Sequence, residues 1–380
     1  MSSELQEGPG TDPGNASSDT IQQVNLLCQG ELGHAEFKTI RWLAKKDPEG
    51  VLSALAHSES DSMPQALRQM VRQLQLEKAR KTESLDHCIK LAHEHVSQFP
   101  DDVFAVQSFL RDVFLLQDEA HVEAVDSIVS MLPPTLTGLS YRALWASIWF
   151  PNRAPEAISQ LREEIAALRQ QYFVPQLKQD KGFAELVALA SVARRIAIIG
   201  SGPSLQGAGQ GAKIDAHDLV VRINCPLIGA FAEDVGSRTD VVFGWPSPTN
   251  PTFKARIARH ESYQNALIVQ ATRSIKKHYT PFSNEDVAAA GVSRFTRLPS
   301  QIWNMVIDLS YRVPTTGFGA ILFMALVLDR PVSLFGFDFY ETGRQYFWRS
   351  MNTLHYGPAH EPRFEKRMVE NMLKIHFGTV

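Results

Sequence analysis

The sequence predicts an α/β domain preceded by an all-helical domain, and two patterns support this. Residues 21–185 carry apolar side chains three and four positions apart, which is the spacing of one helix face. Near residue 190 this pattern gives way to short runs rich in Val, Ile and Leu that alternate with loops. Such runs are typical of strands buried in a mostly parallel sheet. We therefore divide the 380 residues into a tail, 1–20, a helical domain, 21–185, and an α/β domain, 186–380.

The tail and the composition argue against a secreted, a membrane-spanning or a nucleic-acid-binding protein. Residues 1–20 are rich in Gly, Ser, Pro and Asp, which predicts disorder, and they lack the apolar core of a signal peptide. The longest apolar run, 320–328, is far shorter than the roughly 20 residues of a membrane-spanning helix. We expect a cytoplasmic protein without a transmembrane segment, whose contact with a membrane, if it has one, is peripheral. A formal net charge of -3 gives no electrostatic sign of nucleic-acid binding, and three dispersed cysteines do not suggest a disulfide framework.

In the helical domain, at least two predicted helices carry a stripe of apolar side chains along one face. Proline-containing segments separate the predicted helices. The stripes consist of Leu67, Met70, Val71 and Leu74, and of Ile158, Leu161, Ile165, Leu168 and Tyr172. Pro64 and the segments "FPDD", "LPPT" and "FPNRAP" interrupt the helical pattern. Helix pairs with short connections predict a bundle or a solenoid-like array. We interpret this region as a scaffold or as a surface for a protein partner.

Five apolar runs predict the strands of the α/β domain: "RIAIIG", "DLVVRIN", "DVVFGW", "ALIVQA" and "VSLFGF". The first ends in Gly200-Ser201-Gly202, a turn that brings backbone N–H groups close to a phosphate. A nicotinamide fingerprint needs a third glycine where this chain has Leu205, and the Gly-Lys-Ser/Thr of a P-loop is absent. The glycine turn alone therefore leaves the bound phosphate open.

Three longer blocks carry a resemblance to a known family. Residues 196–243 contain the glycine turn, the pattern GxxIDxHDxVxRxNxP at 211–226 and "DVGSRTD" at 234–240. The second block, residues 313–337, reads "VPTTGFGAILFMALVLDRPVSLFGF". The third block, residues 360–365, has the pattern His-x4-Glu. In this order the blocks resemble the large, small and very small sialylmotifs of the sialyltransferases of glycosyltransferase family 29. The helical domain has no part in the resemblance.

The resemblance implies a GT-A-like, Rossmann-like domain and a CMP-sugar-dependent glycosyltransferase (EC 2.4.-). The enzyme would move a 2-keto acid sugar, sialic acid or Kdo, from its CMP ester to a hydroxyl of a glycan or glycolipid, with inversion at the anomeric carbon. We expect no cofactor and no metal, since a single phosphate leaves with the cytidine.

The residues expected to bind the donor lie at strand ends and at one helix start. Asn224 follows a β-rich run, so it lies at the carboxyl edge of the sheet, where its amide suits a ribose or a phosphate. Hydroxyls and N–H groups before a long apolar helix make an anion site, and the resemblance implies that this position contacts the sugar carboxylate. The expected set is Gly200, Ser201, Gly202, Asn224, Thr315, Thr316, Gly317 and Gly336.

Charged residues near these positions are expected to have structural roles. Arg222 and Asp218 lie close together in one β-rich run, and we expect them to pair. Asp234, Arg238 and Asp240 are expected to fix the loop that contains them.

The catalytic candidates lie near the carboxyl terminus. An acceptor hydroxyl needs a base, and the near-neutral pKa of an imidazole suits His360 for this role. The resemblance implies that Glu365 supports the loop of His360. For the family's aromatic motif, whose histidine binds the donor phosphate, two candidates stay open. Gln345-Tyr346 has the expected distance from His360 but lacks a histidine, whereas His355 has the right side chain but lies close to His360.

Three departures from the family pattern bear on the expected relative. Ile196 and Leu328 stand where vertebrate members carry paired cysteines, Ser201 replaces a frequent Asn, and we expect no N-terminal membrane anchor. These features indicate a bacterial-type cytoplasmic relative. Two alternatives remain: a NAD-dependent oxidoreductase, and a non-catalytic protein that binds a CMP-sugar or a partner.

Overall fold

A computed structural model describes most of the chain, and it divides into two compact units, residues 1–133 and 134–380. The first unit is described over 13–28, 34–55, 63–102, 106–107, 109–110, 113 and 121–133. The second is described over 135, 137–144, 155–224, 227–244, 261–271, 292–310, 314–341 and 362–377.

The described elements of the first unit are helices. Their bounds are α1 Pro13–Cys28, α2 His34–Lys46, α3 Pro48–Leu55, α4 Gln65–Thr82, α5 Leu85–Gln98 and α6 Val122–Ser130. Their apolar faces form a common core in which Val24, Ile40 and Val51 are fully buried. The stripe predicted for α4 faces this core, since Leu67, Met70, Val71 and Leu74 are all buried. Local chemistry sets the helix starts, as at α5, where the Ser84 side chain accepts a hydrogen bond from the N–H of His87.

The second unit contains a parallel six-stranded sheet flanked by helices. The helices are α7 Tyr141–Leu144, α8 Pro155–Gln179, α9 Lys181–Val192, α10 Gly211–Asp215, α11 Ala232–Val235, α12 Glu261–Gln264, α13 Ser300–Ser310, α14 Thr316–Leu322 and α15 Pro362–Phe377. A π-helical turn, Phe323–Val327, continues α14, and 3₁₀ turns span Pro203–Leu205 and Gly229–Phe231.

The sheet has the order β5-β4-β3-β2-β1-β6, with every neighbouring pair parallel. The strands are β1 Ile196–Ile199, β2 Leu219–Ile223, β3 Val241–Gly244, β4 Leu267–Gln270, β5 Phe295–Arg297 and β6 Val332–Phe335. The strands β1 to β4 are buried throughout, as expected for strands covered on both faces. All five predicted runs are therefore strands, and β5 is a sixth that the sequence did not indicate.

Two boundaries differ from the sequence analysis. The helix α1 begins at Pro13, inside the segment 1–20 that the sequence predicts to be disordered, and proline is well suited to a first helical turn. The division into compact units lies at 133/134 rather than at 185/186. The reason is that α8 and α9, although helical in pattern, pack in the same unit as the sheet.

No helix within the described ranges is both long enough and apolar enough to cross a lipid bilayer.

Candidate active site

The carboxyl ends of β1, β2 and β6 lie side by side at one edge of the sheet because the three strands are parallel neighbours. β1 is the point where the chain changes direction across the sheet, since β2 to β5 extend on one side and β6 returns on the other. In open α/β sheets, ligands bind outside the carboxyl ends of the strands at such a switch point. This edge is therefore the candidate site.

The glycine turn after β1 packs directly against the end of β6. The N–H of Gly200 donates to the carbonyl oxygen of Phe335 at 2.8 Å, and the N–H of Gly202 donates to that of Gly336 at 2.9 Å. A Cβ atom on Gly200 would lie 2.4 Å from the Gly336 carbonyl oxygen, and one on Gly202 would lie 2.4 Å from Oδ2 of Asp338. Only glycine permits this approach of two backbones.

This packing corrects the expected role of the two glycines. A backbone N–H that already donates to a carbonyl is not available to a phosphate, so the amides of Gly200 and Gly202 hold the β6 loop instead. Ser201 lies half-buried between them at the sheet edge. We infer that this turn contributes the shape of the site and the position of Ser201.

The loop after β6 is locked to the turn that follows β1. Gly336 has a φ of 67°, and a Cβ atom there would lie 2.4 Å from Cδ1 of Leu205. The carboxylate of Asp338 accepts a hydrogen bond from the N–H of Ser204 at 2.8 Å. Leu205, which stands where a nicotinamide fingerprint has glycine, is therefore a packing residue between the two loops.

Phe337 connects this pair of loops to the start of α14. Its ring atom Cε2 lies 3.4 Å from the position of a Cβ on Gly200, and Cε1 lies 2.8 Å from that of a Cβ on Gly317. The sequence analysis did not single out Phe337 or Asp338. Their signal was available, because both follow Gly336 directly at the end of a predicted strand.

Thr315 and Glu365 join the start of α14 to the first turn of α15. The Thr315 side chain accepts a hydrogen bond from the N–H of Phe318 at 3.2 Å and so caps α14. The N–H and the hydroxyl of Thr315 donate to the two carboxylate oxygens of Glu365 at 2.8 and 2.6 Å. Both donors of Thr315 are thus used by a buried carboxylate, whereas Thr316 and Gly317 are half-buried beside it.

A second contact ties α15 to the β6 loop. Nζ of Lys366 lies 2.7 Å from Oε1 of Glu341, and this hydrogen bond raises the pKa of Lys366. Glu341 closes a turn in which its N–H donates to the carbonyl of Asp338. The central residues of that turn, Phe339 and Tyr340, have φ angles of 44° and 61°, which are uncommon for aromatic side chains. The first turn of α15 is therefore fastened both to α14 and to this turn.

Asn224 lies beside the glycine turn. In the β1–β2 register Ile199 pairs with Arg222, so Asn224 follows the end of β2 at the level of Ser201. It is exposed and has a φ of 58°, a left-handed conformation that Asn adopts more readily than most residues. Its N–H donates to the carbonyl of Phe243 at 3.1 Å. The structure thus places Asn224 at the predicted edge.

The buried Arg222 holds the loop between β2 and β3. Its Nε donates to Oγ1 of Thr239 at 2.9 Å, and its Nη2 donates to the carbonyls of Gly236 and Arg238 at 3.0 and 2.8 Å. Burial lowers the pKa of Arg222, and the nearby Tyr263, Asp215 and Asp240 oppose this shift. The guanidinium therefore acts as a support beneath the sheet edge.

The expected pair of Arg222 and Asp218 is wrong. The carboxylate of Asp218 accepts hydrogen bonds from the N–H groups of Arg194 and Arg195 at 2.9 and 2.8 Å. The physical reason is distance along the strand, since residues four apart are about 13 Å apart in an extended chain.

The predicted loop-fixing charges are confirmed. Asp234 accepts from the N–H groups of Gly207 and Gly209 at 2.8 and 2.9 Å, and these hydrogen bonds lower the pKa of Asp234. Asp240 accepts from Nε of Arg238 at 3.1 Å and from the N–H of Val220 at 2.7 Å. The motif "DVGSRTD" is thus a structural element of the site.

Comparison with known proteins matches this part of the chain to a family. Residues 160–290 match the model described as "Glycosyltransferase family 29 (sialyltransferase)". Over these residues the chain is similar to glycosyltransferase family 29. The resemblance seen in the sequence is confirmed, and the matched range contains Gly200, Ser201, Gly202 and Asn224.

Individual proteins similar to this chain include named sialyltransferases. "CMP-N-acetylneuraminate-beta-galactosamide-alpha-2,3-sialyltransferase 2" of Mus musculus is 27% identical over 203 residues, which cover 48% of this chain and 55% of the relative. "Alpha-N-acetylgalactosaminide alpha-2,6-sialyltransferase 2" of Homo sapiens is 49% identical over 45 residues, or 12% of each chain. A solved structure, "Crystal Structure of a Mammalian Sialyltransferase", is 20% identical, with a TM-score of 0.33, and covers 48% of this chain and 67% of that chain. The chain spans about half the length of the longest-matching curated relatives.

Several residues predicted for the site lie outside the described residues. They are His360, His355, Gln345 and Tyr346. Their roles, like the GT-A-like assignment and the bacterial-type cytoplasmic origin, stay predictions. Within the described ranges no three His, Cys, Asp or Glu side chains converge as metal ligands. The expected independence from metal is a prediction as well.

Proposed function

We propose that the chain is an inverting glycosyltransferase that moves sialic acid from its CMP ester to a hydroxyl of a glycan or glycolipid. The observation that carries this proposal is the family 29 match over residues 160–290, which includes the β1 and β2 ends of the candidate site. Kdo is the second donor sugar to test, because it is also carried as a CMP ester and also has a carboxylate beside its anomeric carbon.

The packing of the glycine turn disfavours the NAD-dependent alternative. A dinucleotide-binding turn offers its N–H groups and the start of a long helix to a pyrophosphate. Here the N–H groups of Gly200, Gly202 and Ser204 have protein acceptors, and the turn leads into a 3₁₀ turn of three residues.

In the proposed reaction the acceptor oxygen attacks the anomeric carbon as the bond to the phosphate oxygen of CMP breaks. His360 takes the proton of the acceptor hydroxyl, and CMP leaves with the electron pair. His360 precedes α15 by two residues, and the first turn of α15 is tied through Glu365 and Lys366 to the loops of the candidate site. These contacts of Glu365 and Lys366 support the proposal that His360 acts as the base at this edge of the sheet.

We further propose that Thr316 and Gly317 receive the sugar carboxylate at the start of α14, and that His355 or Gln345 contacts the phosphate. Thr315 serves as the cap that orients this start, since its N–H and hydroxyl are used by Glu365. One phosphate leaves with the cytidine, so polar protein groups suffice to stabilise it, and no metal is needed.

The deciding experiment offers CMP-sialic acid and CMP-Kdo separately to the full chain, with galactose-terminated oligosaccharides and glycolipids as acceptors. Each assay is run with and without EDTA, and CMP release is compared with formation of the glycosylated product. Transfer from CMP-sialic acid that survives EDTA supports the proposal. Transfer from CMP-Kdo alone changes the sugar, and dependence on added Mg²⁺ or Mn²⁺ rejects the metal-free reaction. Binding of CMP without any transfer favours the non-catalytic alternative, and stabilisation by NAD but not by CMP rejects the transferase.

A further inference from the structure

The helix α2 has an exposed face made of four cations and one tryptophan. Lys38, Arg41, Trp42, Lys45 and Lys46 are all exposed. At 100° per residue they fall within an arc of about 140°, which is one side of the helix. The only carboxylate of α2, Glu36, lies outside this arc, so the face carries charge of one sign. We call these five residues the α2 basic face.

The opposite side of α2 holds the helix in place. Ile40, Leu43 and Ala44 are buried in the core of the first unit, at 0%, 5% and 8% exposure. The helix therefore cannot turn its basic face inward without exposing this apolar side. The α2 basic face is a permanent part of the unit's surface.

Trp42 is an unusual residue to leave in water. It is 53% exposed, and Nζ of Lys46 lies 3.9 Å from the centroid of its ring. In the part of the chain that the structure describes, none of the four cations of the α2 basic face has a carboxylate partner. An aromatic side chain surrounded by uncompensated cations is suited to a surface that is both anionic and partly apolar.

An anionic lipid surface has both properties. The headgroups carry negative charge, and the boundary with the acyl chains accepts an indole ring whose N–H stays in the polar layer. Lysine side chains can extend their ammonium groups to the headgroups while their stems follow the apolar boundary. Nucleic acid is the less suitable ligand, because three of the four cations are Lys rather than Arg, the residue that recognises nucleic acids best.

We propose that the α2 basic face docks the protein on the surface of an anionic phospholipid membrane. The docking is electrostatic and peripheral, with Trp42 inserted at the headgroup level. It does not depend on the proposed transferase activity, since lipid binding is measured without any sugar donor.

The test measures binding of the full chain to phosphatidylcholine vesicles with and without about one third phosphatidylglycerol, a content that gives a strongly negative surface. The variant Lys38→Gln/Lys45→Gln removes the two cations nearest the middle of the face and keeps a good helix former at both positions. The control Lys178→Gln/Lys181→Gln removes two exposed cations elsewhere and changes the net charge equally. Circular dichroism checks that both variants fold as the wild type does.

We expect binding to the anionic vesicles only, decreasing with salt. Each basic residue at such a surface contributes about 1 kcal/mol, so the α2 variant should bind about 30-fold more weakly. The control should bind as the wild type does, and Trp42→Ala should bind more weakly than the wild type. The proposal is overturned if the wild type does not bind anionic vesicles, if both double variants bind equally, or if duplex DNA is bound more tightly than the vesicles.

Discussion

Glu365 is the residue whose contacts say most about how the candidate site is held. It is 4% exposed, and both of its carboxylate oxygens accept hydrogen bonds from Thr315. In Glu365→Gln, one oxygen becomes an NH₂ group that faces a donor. Because hydrogen bonds to a charged group contribute about 1.5–3 kcal/mol, we expect a loss of about 2 kcal/mol in the free energy of unfolding. Chemical denaturation measures it.

The matched control for this prediction is Glu370→Gln, on the same helix. Glu370 is exposed and lies 4.0 Å from Lys366, so its replacement should cost only a few tenths of a kcal/mol. Equal effects of the two substitutions would show that the contact with Thr315 does not stabilise the start of α14.

His360 is expected to act on the acceptor rather than on the donor. His360→Ala should therefore leave the affinity for CMP nearly unchanged and lower turnover by about 10²- to 10⁴-fold, the usual contribution of a positioned base. His355→Ala, if His355 contacts the phosphate, should weaken CMP binding and turnover together. Calorimetry with CMP beside turnover numbers separates the two roles.

Three outcomes would contradict these assignments. Near-normal turnover of His360→Ala would place the base elsewhere. Loss of CMP affinity in His360→Ala but not in His355→Ala would mean that His360 contacts the donor phosphate and that His355 is the base. An effect of Gln345→Ala on CMP affinity, with none from His355→Ala, would assign the phosphate contact to Gln345.

At the level of residues, the sequence predicted positions better than it predicted contacts. Asn224 lies at the predicted sheet edge because a β-rich run followed by a polar residue fixes that position. The use of the Gly200 and Gly202 amides by β6 was not predictable, because β6 lies more than 130 residues later in the chain. Glu365 and Thr315 likewise meet only through tertiary structure.

At the level of elements, the turn after β1 and the loop after β6 act as one unit. Gly202 has a φ of -64°, which alanine adopts without strain, so any cost of Gly202→Ala comes from space alone. Its Cβ would lie 2.4 Å from Oδ2 of Asp338 and 2.7 Å from the carbonyl oxygen of Gly336. We expect a destabilisation of about 1–3 kcal/mol, as for other overpacked sites. Thermal unfolding monitored by circular dichroism measures it.

The control for this prediction removes the Asp338 carboxylate, one of the two groups that the new Cβ atom would contact. Gly202→Ala made in an Asp338→Ala background should cost less than it does in the wild type, because one of the two close atoms is then missing. Wild-type stability of Gly202→Ala alone would mean that the two loops are farther apart than the hydrogen bonds between them indicate.

The loop between β2 and β3 should make the second unit sensitive to acid. Burial alone would raise the pKa of Asp215, but hydrogen bonds from the N–H groups of Ser237 and Arg238 lower it below the ordinary value of 3.8. A carboxylate with a lowered pKa stabilises the fold above the pKa of its unfolded state, and this contribution is lost as the pH falls through the folded pKa. The free energy of unfolding should therefore decrease as the pH is lowered past about 4.

The variant Asp215→Asn tests this prediction. It should be less stable than the wild type at pH 7, and the difference should shrink below about pH 4, where the carboxyl of the unfolded wild-type chain begins to bind a proton. Asp329→Asn, at an exposed residue of the same unit, controls for the change of net charge. A difference that stays constant from pH 7 to pH 3 would contradict the role of Asp215.

The sequence identified most elements of the sheet for a physical reason. Strands covered on both faces need continuous apolar runs, and β1 to β4 have them. β5 was missed because it is a three-residue edge strand, Phe295–Arg297, whose two end residues are only half-buried. A short edge strand has no pattern that distinguishes it from a loop.

At the scale of the whole molecule, secondary-structure type and compact unit do not change at the same residue. The pattern changes from helical to α/β near residue 190, whereas the second unit begins at residue 134. Sequence periodicity cannot reveal this, because a helix that packs on a sheet has the same apolar stripe as one that packs on other helices.

The contacts of α9 explain why a fragment cut at residue 186 should fail. The Asp180 carboxylate, at the cap of α9, accepts from Oγ1 of Thr296 at 2.9 Å, and Glu185 accepts from Nε of Arg294 at 2.9 Å. Phe183 is fully buried, and a Cβ on Gly182 would lie 2.3 Å from the carbonyl oxygen of Phe295. Residues that precede position 186 therefore hold the edge strand β5 in place.

We therefore expect fragment 134–380 to fold and to bind CMP as the full chain does, and fragment 186–380 to be unstable. Removing α8 and the first five residues of α9, 181–185, takes away the buried Phe183 and leaves Arg294 and Thr296 without their acidic partners. We expect a loss comparable with the roughly 5–15 kcal/mol that stabilises a whole domain. Circular dichroism melts and calorimetry with CMP compare the two fragments with the full chain. If fragment 186–380 folds and binds CMP with full-chain affinity, the boundary near residue 186 is the correct one. If fragment 134–380 folds but does not bind CMP while the full chain does, residues of the first unit contribute to the donor site.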